Sequence, residues 1–197
     1  LDENTTSSVL AELYFKYALV CDDKNDMAQA FEYYNKCIAV RGENLYKASA
    51  YSNLASCYYE NESYDDAWNC FKQAYKIEKE NNNYDGIYYT ASYLAKLMKN
   101  KQSSKTLKYL TEAQQSAEFL NEGYYIVEST LALGDYYYNN KTTYKEALRE
   151  YYKALKEAER IDEPAYFEKI IKRIEDMRLR MEPDDFRELE KKYEKQR

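Results

Sequence analysis

The side chains that could do chemistry form an unusual set, because histidine is absent from all 197 residues. Histidine is the commonest general base and the commonest transition-metal ligand, so two frequent routes to catalysis are missing. The sequence also contains no glycine-rich phosphate loop and no nucleophile elbow. Carboxylates are plentiful, but helical spacing explains most of them as solvated faces. We therefore predict a non-catalytic protein that uses no cofactor and no metal.

The four cysteines are the other candidates for metal or redox chemistry. They show no CxxC pair and no metal-ligand spacing. Each falls where a helix would bury a small or medium side chain, so we expect buried, reduced thiols in a reducing compartment. This favours a cytoplasmic location and leaves open an exported protein whose signal has been removed. The cysteines are Cys21, Cys37, Cys57 and Cys70.

Composition favours a soluble helical protein. Glycine occurs 4 times and proline 2 times, too few for the many turns of a β sandwich. No apolar run approaches the roughly 20 residues of a membrane span, so no membrane partner is expected. The net charge of −6, with both signs interspersed, argues against direct nucleic-acid binding. Tyrosine is the outlier with 25 copies, which suits thin packed layers of helices but is equally explained by codon bias.

Residues 48–81 indicate the kind of secondary structure that the chain forms. Apolar residues recur three or four apart along two segments, which predicts two antiparallel helices joined by a polar turn at 61–63. The positions are Tyr51, Leu54, Ala55 and Tyr58 in the first helix, and Ala67, Phe71 and Ala74 in the second. The pattern resembles the tetratricopeptide repeat. In that family a bulky residue, a Leu-Gly or Leu-Ala pair and a Tyr mark the first helix, and two Ala flanking an aromatic mark the second.

The same pattern occurs four times. Corresponding positions Ala30, Ala67, Thr106 and Ala147 follow one another at 37, 39 and 41 residues, against a family period of about 34. The resemblance implies an all-α, right-handed α–α superhelix of about ten helices with a C-terminal capping helix. We expect a tail and the start of the first helix at 1–10, four helix-turn-helix units at 11–161, and a capping helix with a charged tail helix at 162–197.

The other units supply further apolar positions. In the first unit they are Leu10, Tyr14, Tyr17, Ala18 and Cys21, then Met27, Ala30, Phe31, Tyr34, Cys37 and Ile38. In the third they are Ala91, Leu94, Ala95 and Met98, then Thr106, Leu110 and Ala113. In the fourth they are Thr130, Leu133, Gly134 and Tyr137, then Ala147, Tyr151 and Ala154. Gly134 predicts a close approach of the second helix, because it has no side chain.

The last 36 residues depart from the repeat. One apolar stripe predicts a helix that covers the last repeat on one face and meets water on the other. Its members are Phe167, Ile170, Ile171, Ile174, Met177 and Met181. A second, charged helix follows Pro183 with only a narrow apolar seam of Phe186, Leu189 and Tyr193.

The resemblance also implies a binding face. In the family, the first helices line the concave side, and their residues outside the packing positions contact the ligand. Carried over by position, the partner-binding candidates are Ser49, Ser52, Asn53, Ser56, Tyr59, Tyr89, Lys96, Lys99, Asp135 and Tyr138. The two lysines would attract an acidic element, and the serines, Asn53 and Tyr59 would donate hydrogen bonds to the ligand backbone. The alternative is an ordinary solvated face.

Three functions fit this sequence. The first is a protein-interaction scaffold that binds a peptide or protein segment in the concave groove. The second is a sensory or regulatory segment of a larger signalling protein, attached to a kinase or a DNA-binding domain; the first residue, Leu1, and the charged helix at 184–197 motivate it. The third is self-assembly through exposed tyrosine-rich faces. The sequence does not identify the partner or the oligomeric state.

Overall fold

Ten α-helices account for most of the residues that the computed structural model describes, which are 3–42, 44–98 and 103–194. These residues contain no strand, so the all-α prediction is confirmed. The helices are α1 Glu3–Asp23, α2 Met27–Ala39, α3 Leu45–Glu60, α4 Tyr64–Glu80, α5 Tyr84–Leu97, α6 Ser104–Leu120, α7 Gly123–Tyr138, α8 Tyr144–Arg160, α9 Pro164–Arg180 and α10 Pro183–Glu194. A short 3-10 turn, Lys141–Thr143, precedes α8.

Five helix ends close with the same backbone motif. At each, one residue adopts the left-handed conformation, with φ between 51° and 60°. The amide of the next residue then donates to the carbonyl five positions earlier, at 2.8–3.4 Å. This is the Schellman arrangement, which satisfies carbonyl groups that a helix end leaves free. The left-handed residues are Asn25, Glu62, Asn82, Asn121 and Asp162.

Side chains fix several helix starts. Asp26 accepts from the Gln29 amide at 3.2 Å, and Ser103 accepts from the Thr106 amide at 3.2 Å. Such caps satisfy amides that have no partner within the helix. Capped starts and closed ends together define the turns between helices.

The chain divides into two units, Leu1–Leu97 and Met98–Arg197. In the first unit each helix packs on the next, and α3 also packs on α1 and α5. The predicted small-and-large pattern forms its core, with Ala30, Ala67, Phe71 and Ala74 fully buried and Leu54 3% exposed. These contacts confirm helical packing at the predicted hairpin positions of α1–α2 and α3–α4.

Three predicted packing positions of the first hairpin are wrong. Leu10 is 40% exposed, Tyr17 is 51% exposed and Met27 is 36% exposed. The buried residues of α1 are Ala11 and Ala18, of which Ala18 was predicted. The reason is that α1 packs on α2 and α3 with one side only, so the opposite side of the helix faces solvent.

A buried lysine closes the connection between α2 and α3. Lys47 is 8% exposed, and its ammonium donates to the carbonyls of Val40 at 2.9 Å and Gly42 at 3.0 Å. A cation near the last carbonyls of a helix is favourable, because the helix dipole is negative there. Lys47 therefore fastens the end of α2 to the start of α3.

In the second unit α7 packs on α6 and α8, and α8 also packs on α9 and α10. The close approach predicted at Gly134 is confirmed, since a Cβ there would lie 2.6 Å from Cε1 of the Tyr151 ring. A buried polar network joins α6, α7 and α8. Gln114 donates to Thr130 at 3.1 Å and to the buried Glu150 at 3.0 Å. The Arg149 guanidinium, 2.8 Å from Glu150, balances that carboxylate.

The predicted capping helix is α9. Ile170, Ile174 and Met177 are buried in the core that α8 shares, whereas Ile171 is 40% exposed and was wrongly placed in the stripe. Helix α10 also docks, with Phe186 2% exposed and Tyr193 stacked on Tyr152 at 5.2 Å. The narrow seam predicted for α10 is therefore enough to attach it to α8.

The unit boundary falls inside the third predicted hairpin. Helix α5 belongs to the first unit and α6 to the second. The pairing of these two helices, the right-handed superhelix and the predicted domain limits remain predictions.

Candidate functional site

The helix faces predicted to bind a partner carry a cluster of tyrosines in the first unit. Helices α3 and α5 pack on one another and bring Tyr59, Tyr89 and Tyr93 together. We call these three residues the tyrosine cluster. The Tyr93 ring lies 5.3 Å from Tyr59 and 4.9 Å from Tyr89, and it stacks on the buried Phe71 at 4.8 Å. The cluster thus rests on the core of α4 and presents its other side outward.

Hydrogen bonds and a cation complete this surface. The hydroxyls of Ser56 and Tyr89 are joined by a 2.7 Å hydrogen bond between α3 and α5. The Lys96 ammonium lies 4.6 Å from the centre of the Tyr93 ring. An ammonium over an aromatic face is stabilised by the ring quadrupole. Because Lys96 is exposed, its charge still reaches solvent and any ligand placed beside the cluster.

The Tyr93 hydroxyl is neutral at physiological pH. Burial, together with the neighbouring Tyr89 hydroxyl, raises the pKa of Tyr93 to about 12. The Tyr93 hydroxyl therefore acts as a neutral donor and acceptor, and Lys96 supplies the positive charge. This combination suits recognition of a peptide with apolar and acidic side chains.

Ser49, Ser52 and Asn53 lie on α3 in more enclosed positions. Ser52 is 7% exposed, and its Oγ has no hydrogen-bond partner. The Asn53 amide donates to the Tyr34 hydroxyl at 2.8 Å, which in turn donates to Asp22 at 3.2 Å. This relay ties α3 to α2 and α1, so Asn53 already has a partner within the protein. Ser49 is half-buried.

Asp135 and Tyr138 belong to the second unit, where α9 engages both. Asp135 accepts two hydrogen bonds from the Arg173 guanidinium, each 2.7 Å, and a third from the Tyr151 hydroxyl at 2.9 Å. The Tyr138 hydroxyl donates to Asp176. Further along, Glu128 accepts from the Tyr166 hydroxyl at 2.7 Å. These contacts form a polar seam between α7 and α9.

The remaining predicted residue, Lys99, lies outside the described residues. Within the described part of the chain, no group of acidic, cysteine or histidine side chains could hold a metal ion. Burial raises the pKa of the Cys37 thiol to about 11 and also raises those of Cys57 and Cys70. A raised pKa disfavours the reactive thiolate, and all four cysteines are free thiols.

Sequence reasoning missed Tyr93, the residue at the centre of the cluster. Its spacing of four residues from Tyr89 places both rings on one face of α5, and this signal was present in the sequence. It also missed that side chains of α9 contact those of α7. Spacings of 38 residues recur across that seam, as in Asp135–Arg173 and Glu128–Tyr166. That interval lies within the range of the repeat spacings.

The fold and the site define a class of protein built from helical hairpins. A family model of the tetratricopeptide repeat matches residues 9–80, which cover most of α1 and all of α2, α3 and α4. The resemblance seen in the sequence is thereby confirmed over this range. Proteins built from this repeat are generally non-catalytic and bind other proteins.

Two solved structures share the fold over nearly the whole chain. BtubC (BKLC) from P. vanneervenii is 19% identical with a TM-score of 0.70, and the match covers 94% of this chain and 85% of that one. The apo form of RapI is 15% identical with a TM-score of 0.64, over 93% of this chain and 74% of that one. A comparison with curated proteins gave no match. None of the described helices is long and apolar enough to cross a membrane.

Proposed function

We propose that the first unit binds a peptide or protein segment along the outward faces of α3 and α5, with the tyrosine cluster as its contact surface. The observation that carries this proposal is the convergence of three tyrosines and Lys96 on helix faces that tetratricopeptide repeats use for ligands. Tyr89 is 37% exposed, and Tyr59 and Tyr93 are half-buried. Rings held in place lose little conformational entropy when a ligand packs on them.

The chemistry of this surface defines the ligand. The rings offer apolar faces to aliphatic or aromatic side chains, and the hydroxyls bond to peptide groups. Lys96 adds attraction for a nearby Asp or Glu, or for a C-terminal carboxylate. We include Ser49, Ser52, Asn53 and Ser56 in the proposed surface of this unit, whereas a binding role for Lys99 stays a prediction. A binding role for Asp135 and Tyr138 on the second unit remains a prediction.

A random-peptide library selected on the immobilised full chain tests this proposal. The recovered peptides should combine an apolar residue with an acidic one and should compete for a single site. Lys96→Glu should raise the dissociation constant of these peptides at least about tenfold, and Tyr89→Ala should have a similar effect. Isothermal titration calorimetry measures both changes.

Lys72→Glu is the matched control, since Lys72 is exposed on α4, a second helix. It makes the same charge change and should leave the affinity within about twofold. Peptides that bind the Lys96→Glu variant as tightly as the natural chain would show that the ligand lies elsewhere. No contact among the described residues favours the alternative of a regulatory segment in a larger signalling protein, which remains a prediction.

A further inference from the structure

Helix α1 carries an apolar stripe on the side that faces away from α2 and α3. Six of the fourteen large apolar side chains that are exposed in the described chain lie on this helix, so the exposure is concentrated there. Each of five of them lies three, four or seven residues from another of the five, so they share one face. This face, which we call the α1 stripe, consists of Val9, Leu10, Leu13, Tyr17 and Val20.

The stripe has the spacing of a helix–helix contact. Leu10, Leu13, Tyr17 and Val20 follow the alternating three- and four-residue steps of a heptad seam. A solvated helix would place polar residues on this side, yet each of the five side chains is 40–56% exposed. Tyr17 also stacks on Tyr33 of α2 at 5.4 Å, which continues the apolar surface onto the neighbouring helix.

The charge around the stripe favours a partner with an uncharged surface. Lys16 borders this face, and its ammonium pairs with Glu12 of the same helix at 2.7 Å. No net charge is left to attract an acidic or a basic partner. At such a neutral patch a second copy, which carries the same net charge of −6, can pack without a contact between like charges.

The area of the stripe is consistent with a modest dimer. With these exposed fractions the five side chains present roughly 400 Å² of apolar surface. One side of a standard interface buries about 800 Å², of which about 60% is apolar. The stripe thus supplies most of the apolar area that one side of such an interface requires.

We propose that the α1 stripe is a self-association surface, on which α1 of a second copy of this chain packs in an isologous contact. A second copy necessarily carries the same apolar seam, so one surface serves both partners. This proposal is independent of peptide binding, which uses other faces on α3 and α5. The first unit would then bind its ligand on one face and a second copy of the chain on another.

Sedimentation equilibrium of the full chain tests the proposal. The weight-average mass should rise from one chain toward two as the concentration increases. Leu13→Glu, at the middle of the stripe, should raise the dimer dissociation constant at least about tenfold, because it buries a charge in the contact. If Leu13→Glu loses the helical circular dichroism signal, Val9→Glu, at a residue 56% exposed, is measured in its place.

Leu19→Glu is the matched control, since Leu19 is 36% exposed on the same helix but lies off the stripe. It and Lys96→Glu should leave the association unchanged. A natural chain that stays monomeric at every concentration overturns the proposal and leaves the stripe to a different partner. A dimer that survives Leu13→Glu, or that Leu19→Glu dissociates equally, overturns it as well.

Discussion

At the scale of single residues, Gly134 shows how one missing side chain sets the distance between two helices. The Tyr151 ring packs directly on its Cα and is held there by the hydrogen bond from its hydroxyl to Asp135. Asp135 in turn is held by Arg173 of α9. A single glycine therefore positions α8 on α7 and, through Tyr151 and Asp135, connects them to α9.

Gly134→Ala should lower the free energy of unfolding by about 2 kcal/mol, because the new methyl group overlaps a ring that cannot move away. Urea denaturation followed by circular dichroism measures the change. The cost should shrink in a Tyr151→Leu background, where the ring is absent, as a double-mutant cycle would show. An equal cost in both backgrounds would contradict the role assigned to the ring.

Glu78 is a buried carboxyl group in a position that favours its protonated form. It is 3% exposed, and its Oε2 lies 3.0 Å from the Thr90 hydroxyl, which also lies 2.8 Å from the Gly86 carbonyl. The Thr90 hydroxyl donates to Oε2, and this hydrogen bond by itself favours the carboxylate, but burial outweighs it. Burial raises the pKa of Glu78 to about 7.

The free energy of unfolding should therefore fall as the pH rises from about 4.5 to 7, because the folded state keeps a proton that the unfolded state has released. Glu78→Gln carries the same hydrogen bond at any pH. It should remove this slope and stabilise the protein by about 2 kcal/mol at pH 8. Denaturation curves at several pH values measure both effects.

Glu80→Gln, at an exposed position near the end of the same helix, is the control and should leave the pH profile of stability unchanged within about 0.5 kcal/mol. A Glu78→Gln variant that keeps the natural slope would show that another group titrates in this range.

At the scale of elements, the five left-handed turns differ in how well their residues suit that conformation. Asparagine tolerates it, whereas a Glu at position 62 has a side chain that crowds the backbone there. Glu62→Gly should raise the free energy of unfolding by about 0.5–1 kcal/mol. Asn82→Gly, at the corresponding place after α4, should raise the free energy of unfolding clearly less. Equal gains from both changes, measured by thermal denaturation, would argue against strain at Glu62.

The buried face of a helix could be predicted from the sequence where other helices pack on both sides of it. Leu54, Phe71 and Ala74 lie between helices on either side, so their size and spacing reveal their burial. The prediction was wrong at Leu10 and Tyr17 because the same pattern on α1 has no described helix beyond it. Repeat motifs encode which face is apolar, but not whether another helix covers that face.

The site was less predictable than the helices. Family positions indicated Ser56, Tyr59 and Tyr89. In the structure Ser56 is hydrogen-bonded to Tyr89, and the Tyr59 ring contacts Tyr93 beside them. They did not indicate Tyr93, because ring stacking on Phe71 depends on how α4 and α5 pack. They also could not show that Asp135 has Arg173 as a partner, since that contact joins residues 38 positions apart.

At the scale of the whole molecule, contacts between helices join close neighbours in the chain, so stability should be distributed along it. Helix α10 is attached through α8 and α9, whereas the single tryptophan, Trp68, lies on α4. Phe186→Ala should lower the free energy of unfolding of the helices around α10 by about 3 kcal/mol, since that ring is 2% exposed. In a repeat protein such a loss spreads mainly to nearest neighbours.

Denaturation monitored in two ways tests this distribution. Phe186→Ala should lower the unfolding midpoint seen by circular dichroism more than the midpoint seen by tryptophan fluorescence. Leu179→Ala, at a side chain 85% exposed on α9, should change neither. Equal shifts of both signals would mean that the chain unfolds as one cooperative body.

The left-handed turns have a consequence for how the repeats are compared with one another. Their closing hydrogen bonds use only backbone groups, so the joint persists while the side chains around it differ from hairpin to hairpin. The helices that end at these joints range from 16 to 21 residues, yet each ends in the same geometry. Two of these joints lie inside predicted hairpins, after α1 and α3, and are landmarks for superimposing the first hairpin on the second. The other three lie between predicted hairpins, after α4, α6 and α8, and mark where a hairpin could be removed or exchanged as a module.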